Sequence, residues 1–189
     1  MSLSLAPFLA SHISLSSNRS FLLSWDDDGN FVHNTNTHSL SFSNVVWMFT
    51  DANVYFVYEP FSLLFEALSH SLVGLDAPSV FLTNALLHSA VFLLAFALAS
   101  ALSSLSPSPL HSFYIFLSSA IFATHPLRAE VVAWLSCQPY LLASCFSLLS
   151  LLLYTPGLAP ARSTLRSRLS LLFYALALLS KSAAVPVVA

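Results

Sequence analysis

Two stretches of 24 residues, 79–102 (SVFLTNALLHSAVFLLAFALASAL) and 131–154 (VVAWLSCQPYLLASCFSLLSLLLY), hold no Asp, Glu, Lys or Arg. At 1.5 Å per residue a helix of that length reaches roughly 36 Å, enough to cross a hydrocarbon core of about 30 Å. A helix that is apolar all round must be surrounded by protein or by lipid. Of the 189 residues, 57% are hydrophobic and 7% are charged, where a soluble domain carries about a quarter charged. A solvated surface around one core cannot be built from so few charges, so the bilayer is the expected solvent. An ordinary cytosolic globular protein, a disordered chain and a nucleic-acid binder, which needs a basic stripe, are excluded. The net charge of −2 says nothing further about partners.

The expected class is all-α, a polytopic helical membrane protein. Residues 1–24 read as a partial or degraded first span; they lack the basic start and compact apolar centre of a signal peptide. Residues 25–78 read as a non-cytosolic loop; within it, 25–60 are the clearly polar stretch and hold four of the five aspartates. After them, 61–75 place Leu64, Phe65, Leu68 and Leu72 on one helical face and Glu66 and His70 away from it, which suits a helix lying on the membrane surface. Residues 79–189 read as about four spans. Of these, 110–124 is short and is expected to span once extended through Leu127, and 169–189 carries one charge, Lys181. A chain that stops at Ala189 inside an apolar run is expected to be a fragment, without folding or activity of its own. There is no internal repeat.

Arg162, Arg166 and Arg168 lie together between two apolar runs, and the positive-inside rule places that loop in the cytosol. Counting spans backwards puts residues 125–130 (HPLRAE) on the opposite side, together with residues 25–75. Two segments distant in sequence are thereby expected on one face: Trp25-Asp26-Asp27-Asp28, and His125-Pro126 with Arg128 and Glu130.

Three adjacent aspartates raise at least one another's pKa, which is how a carboxyl becomes a competent general base; a solvated loop with capping aspartates is the plainer reading, and the triplet alone leaves both open. HPLRAE reads as a helix start, with Pro126 in the first turn. Arg128 suits either a phosphate clamp or a snorkelling ion pair. Lys181, about 20 Å from the cytosolic edge at 1.5 Å per residue, is a functional candidate or the partner of Glu130 or an Asp. Asn84 and His88, four apart, suit interhelical hydrogen bonding more than a ligand role. No histidine pair has zinc-type spacing, and no metal is expected; His33 and His38 read as polar loop residues. Cys137 and Cys145 read as small buried residues. Asn18-Arg19-Ser20 is a glycosylation sequon.

WDDDGNF, then Tyr58-Glu59-Pro60, LTNALLHSAV, FATHPLRAEVVAWLSCQPYLLA and the closing LALLSK occur in that order. Together they resemble the membrane half of the transmembrane and tetratricopeptide-repeat O-mannosyltransferases, of the C-type glycosyltransferase superfamily, over roughly residues 21–185. HPLRAEVVAW followed by QPYLLA is the specific part. The resemblance implies a multi-pass protein of the endoplasmic-reticulum membrane (the plasma membrane, if bacterial). It implies transfer of mannose, with inversion, from dolichyl-phosphate mannose to Ser or Thr hydroxyls of proteins, with no cofactor beyond that lipid-linked sugar donor. The family's acidic pair maps onto Asp26, as base, and Asp27, for orientation; its HPxxxE element maps onto His125, Pro126 and Glu130. Arg128 and Lys181 are the candidates for the lipid phosphate, since a leaving phosphate needs cations in a low-dielectric site. Many relatives carry Arg where Glu59 stands, and this chain shows neither the family's further spans nor its repeats. The rival expectations are a catalytically inactive truncation or helix scaffold and, more remotely, a transporter.

Overall fold

The computed structural model describes residues 20–52, 54–103, 111–155 and 164–188. The sequon and nearly all of the expected first span lie outside these residues, as do Arg162 and the loop before the short apolar helix. Among the described residues the fold is helical, with a single isolated bridge between Val54 and Val57. Seven α-helices follow in order: α1 Phe42–Thr50, α2 Pro60–Val73, α3 Ala77–Ser103, α4 His111–Thr124, α5 Pro126–Ala133, α6 Gln138–Tyr154 and α7 Thr164–Ser180.

Local chemistry sets the helix starts. Ser41 caps α1 by accepting the Asn44 amide at 3.2 Å, and Asp76 caps α3 by accepting the Ser79 amide at 2.9 Å. His125 caps α5 through Nδ1, which accepts the Leu127 amide at 3.2 Å, and Pro126 follows in the first turn as its fixed φ favours. The helix start read from HPLRAE is thus present.

Among the described residues, two stretches are long and apolar enough to cross a membrane, α3 and Leu135–Tyr154. They differ in surroundings. α3 presents Leu82, Leu86 and Leu93 outward, each more than half exposed. Leu135–Tyr154 is half buried and forms the centre of the molecule, packed between α3 and α7. α6 and α7 meet through small residues: Ser150 and Ser170 each donate their hydroxyl to the other's backbone oxygen at 2.9 Å, and Ala143 and Ala177 pack together. Small side chains let two backbones approach, and hydroxyls then replace lost contact with hydrogen bonds.

The apolar run 131–154 is not one helix. The chain bends at Trp134 and passes through a tight turn, Leu135–Cys137, before α6 begins with Pro139 in its first turn. The carbonyls freed by the bend are met from α3. Asn84, fully buried, donates Nδ2 to the Leu135 oxygen at 3.2 Å and the Trp134 oxygen at 3.4 Å, and accepts Gln138 Nε2 at 3.3 Å. His88 Nε2 lies 3.1 Å from the Ala123 carbonyl. Both residues bind helix to helix. The run 169–189 is interrupted as well: α7 ends at Ser180, and Lys181 leads into a tight helical segment Ser182–Val188. The helix over 110–124 is α4, His111–Thr124, whose 14 residues reach about 21 Å at 1.5 Å per residue, so a crossing here draws on the residues that flank it.

Residues 25–78, read from sequence as a loop with a surface helix over 61–75, hold that helix as α2 and before it a wide π turn over Asp28–Val32, a short turn Thr35–Thr37 and α1. In α2, Leu68 and Leu72 do face outward. The opposite face, Ser62, Leu63, Glu66 and Ala67, is buried against the bundle. The side that carries Glu66, away from the Leu68–Leu72 face, is the inner one.

The candidate active-site cleft

A cleft of about 250 Å³ opens between the π turn, α2, the Trp134 bend and the end of α7. Asp26, Glu59, Glu66, Tyr140 and Lys181 line it, with Trp134 and Ser136 on one wall. Its parts come from far-apart stretches because specific contacts tie them. Asp27, fully buried beside Asp26, accepts the Ser136 amide at 3.1 Å and the Ser136 hydroxyl at 2.5 Å on Oδ1. Its Oδ2 accepts the Leu22 amide at 3.0 Å. Trp25 meets Trp134 edge to face at 5.4 Å. The acidic segment is thereby fastened to the bend after α5, across more than a hundred residues.

The far wall is held by a charge pair. Lys181 Nζ lies 2.5 Å from Glu59 Oε1 and 4.6 Å from the centre of the Tyr140 ring. Beside it the Ser62 hydroxyl donates to the Ser180 carbonyl at 2.9 Å, so α2 and α7 are joined twice at this point. Burial pushes the Glu59 carboxyl up, and the hydrogen bond and charge of Lys181 oppose that. Glu66 lies deeper, pushed up to about 8 by desolvation with only a hydrogen bond from Thr37 to oppose it.

A tight turn covers one side. Tyr55 and Phe56 adopt φ of 52° and 63°, the left-handed region that bulky side chains avoid. Such backbone persists where its surroundings hold it. Here Tyr55 Oη accepts the Gly29 amide at 3.2 Å, and a Cβ at Gly29 would sit 2.2 Å from that oxygen, so only glycine permits the approach.

The chain is 34% identical over 115 residues to mouse (Mus musculus) protein O-mannosyl-transferase TMTC2. That stretch is 60% of this chain and 13% of the mouse protein. The human (Homo sapiens) TMTC2 is 33% identical over 115 residues, with the same shares. No family model matches the chain, and no solved structure matches it. The chain thus spans about 13% of the length of the curated relatives it matches.

The residues singled out in the sequence are divided by the fold. Asp26 and Lys181 line one cleft. Asp27 stands behind the wall, where its carboxyl orders backbone and Ser136. His125, Arg128 and Glu130 are not among the cleft residues: His125 and Glu130 are exposed, and the Arg128 guanidinium lies 4.5 Å over the Phe122 ring. Lys181 pairs with Glu59, not with Glu130 or an aspartate. Sequence reasoning missed Glu66, Tyr55 and Gln138 as cleft residues. A carboxyl three residues from Leu63 and one before Ala67, on the inner face of α2, is the signal that would have found Glu66; the turn at Tyr55 carries no glycine or asparagine to mark it.

Proposed function

We propose that the chain is part of a multi-pass membrane glycosyltransferase of the protein O-mannosyltransferase kind, with Asp26 as the general base. The observation that carries this reading is the meeting of Asp26 and Lys181, 155 positions apart, in one cleft walled by the Trp134–Gln138 segment. The partial identity to two mannosyltransferases supports the reaction class. In it, a Ser or Thr hydroxyl of an acceptor protein gives its proton to the Asp26 carboxylate and attacks the anomeric carbon of dolichyl-phosphate mannose. The carbon–oxygen bond to phosphate breaks, the configuration inverts and dolichyl phosphate leaves. A base earns its rate where it reaches the hydroxyl directly, and Asp26 is the partly exposed aspartate at the cleft while Asp27 is buried. Asp27 acts as a positioning residue, holding the π turn so that Asp26 faces the cleft.

Lys181 is the cation for the lipid phosphate, released from Glu59 as the anion arrives. Arg128, with His125 and Glu130, lies at the start of α5 and supplies the outer, headgroup-side contacts. The site faces the lumen of the endoplasmic reticulum, opposite the first turn of α7, which carries Arg166 and Arg168. The test is Asp26→Asn in the protein in its membrane, assayed for transfer of radiolabelled mannose from dolichyl-phosphate mannose to an acceptor peptide. Transfer is expected to fall by at least about a hundredfold, as loss of a general base does, with expression intact. Unchanged turnover removes the assignment. A rival reading, a non-enzymatic scaffold, is favoured by one observation: Lys181 is already neutralised by Glu59. It requires that wild type and the variant both fail to bind the lipid donor.

A further inference from the structure

Among the described residues, Lys181 is the one cation that lines the cleft, and it is already taken. Its Nζ lies 2.5 Å from Glu59 Oε1, with the two side chains only 17% and 11% exposed. The Tyr140 ring covers a second side of the ammonium, 4.6 Å from Nζ. The other titratable groups lining the cleft around this pair are Asp26 before the π turn, Glu66 on α2, Tyr55 in the left-handed turn and Tyr140 on α6. Tyr55 Oη is engaged by the Gly29 amide and Glu66 by the Thr37 hydroxyl. None of them is a second cation.

An anion that reaches Lys181 therefore enters an occupied site. Glu66, pushed up to about 8 by desolvation, is an acid near pH 7, so the carboxylates of Asp26 and Glu59 face a single ammonium. A phosphodiester added to these gathers three negative groups around one positive one, in a pocket largely closed to water. Like charges at such range raise the proton affinity of one of them. The diester is a strong acid and keeps its charge. Of the two carboxylates, Glu59 is the one with a counter-ion to lose, since among the described residues Asp26 holds no ion pair. Burial already pushes the Glu59 carboxyl up, and the contact with Lys181 is what opposes it.

We propose that Glu59 is the exchangeable counter-ion of the cleft: a phosphodiester replaces it at Lys181, and Glu59 takes up one proton from solvent as it is replaced. Anion and proton enter together, and the net charge of the cleft does not change. That the anion is a phosphodiester rests on the glycosyltransferase reading; the exchange rests on the buried pair. A lysine that is already neutralised is then no bar to binding a lipid phosphate, because the group that neutralises it can be neutralised in turn.

The probe is methyl citronellyl phosphate, a diester whose one acid group stays ionised throughout, whereas a phosphomonoester loses a second proton near pH 6. Calorimetric titration of the full chain in nanodiscs of zwitterionic lipid, at about pH 7 in two buffers of different ionisation heat, counts the protons taken up. Wild type is expected to take up about one proton per diester bound. The complex holds one proton more than the open cleft, so affinity falls as pH rises, about tenfold per unit between about pH 6 and 8. Glu59→Gln keeps the shape and an accepting oxygen; it takes up no proton, loses the slope and binds at least about tenfold more tightly than wild type at pH 8. Asp26→Asn keeps both the uptake and the slope. Lys181→Met alone strands a buried carboxylate, so the variant without the cation is Lys181→Met combined with Glu59→Gln, in which binding falls to that of empty nanodiscs. Uptake or slope that survives in Glu59→Gln, that is absent from a wild type binding the diester, or that is lost in Asp26→Asn overturns the proposal and leaves Lys181 as a phosphate contact. Binding that survives in the double variant, or none by wild type, removes Lys181 from the phosphate reading and the proposal with it.

Discussion

Asp26 and Asp27 are neighbours with the same side chain, and the fold gives them opposite surroundings. Asp27 accepts three hydrogen bonds and is shut away from the cleft, whereas Asp26 lines it. The division follows from helical direction: residues one apart on a helix point roughly 100° apart, so both cannot face one cleft. Asp27→Ala leaves the buried Ser136 amide without an acceptor, and hydrogen bonds to a carboxyl of this kind are worth about 1.5–3 kcal/mol each. We expect the variant to lose about 3 kcal/mol of stability, measured by denaturant titration in detergent, where Asp28→Ala, half-exposed and paired with exposed His33, changes little. An unaltered midpoint for Asp27→Ala means that its bonds hold no structure. The triplet was legible as a feature of the sequence; which aspartate serves chemistry and which serves the wall was not, because that depends on a partner at Ser136.

At the scale of elements, the break in the second apolar run is the feature on which the cleft depends. An unbroken helix from Pro126 to Tyr154 would carry Trp134 and Ser136 along its side and leave no wall for the acidic segment. The bend exposes carbonyls that water cannot reach, and each costs energy unless a donor meets it. Asn84 is that donor. Asn84→Leu has a similar volume and is apolar, yet we expect it to destabilise the chain by about 1–3 kcal/mol, the cost of leaving such groups unsatisfied. Thermal unfolding in nanodiscs checks this; Leu86→Ala on the outward side of the same helix serves as the comparison, since it disturbs no carbonyl and stays apolar. Hydropathy located the span but passed over the bend, because Trp-Leu-Ser-Cys is as apolar as its neighbours. Only Gln138-Pro139 hinted at a second helix start.

At the scale of the whole molecule, the acidic segment and the bend are in contact, so whatever side of the bilayer holds one holds the other. Single cysteines at Leu23, Leu127 and Thr164, all exposed, in a background lacking Cys137 and Cys145, test where that side lies. Leu23 is chosen over Gly29 because a side chain there meets Tyr55. Leu23 and Leu127 are expected to label from one side and Thr164 from the other. Labelling of Leu23 and Leu127 from opposite sides removes the composite site. A third outcome, all three on one side, is incompatible with Leu135–Tyr154 crossing the bilayer once between Leu127 and Thr164.

What the sequence determined by itself is what depends on local composition: helical class, two stretches able to cross a membrane, the helix start at His125-Pro126, Asn84 and His88 as contacts between helices. Periodicity and charge density act over a few turns, and one chain suffices to read them. The tertiary structure alone decided which polar groups share a cleft. Glu59 with Lys181, Thr37 with Glu66 and Asp27 with Ser136 are separated by 29 to 122 positions, and no local pattern links such partners. The inner face of α2 is of the same kind, since Glu66 meets Thr37 only in the fold. In water the apolar face of a helix turns inward, but where the outer medium is apolar the polar face is the one with partners to find, and those partners come from other helices.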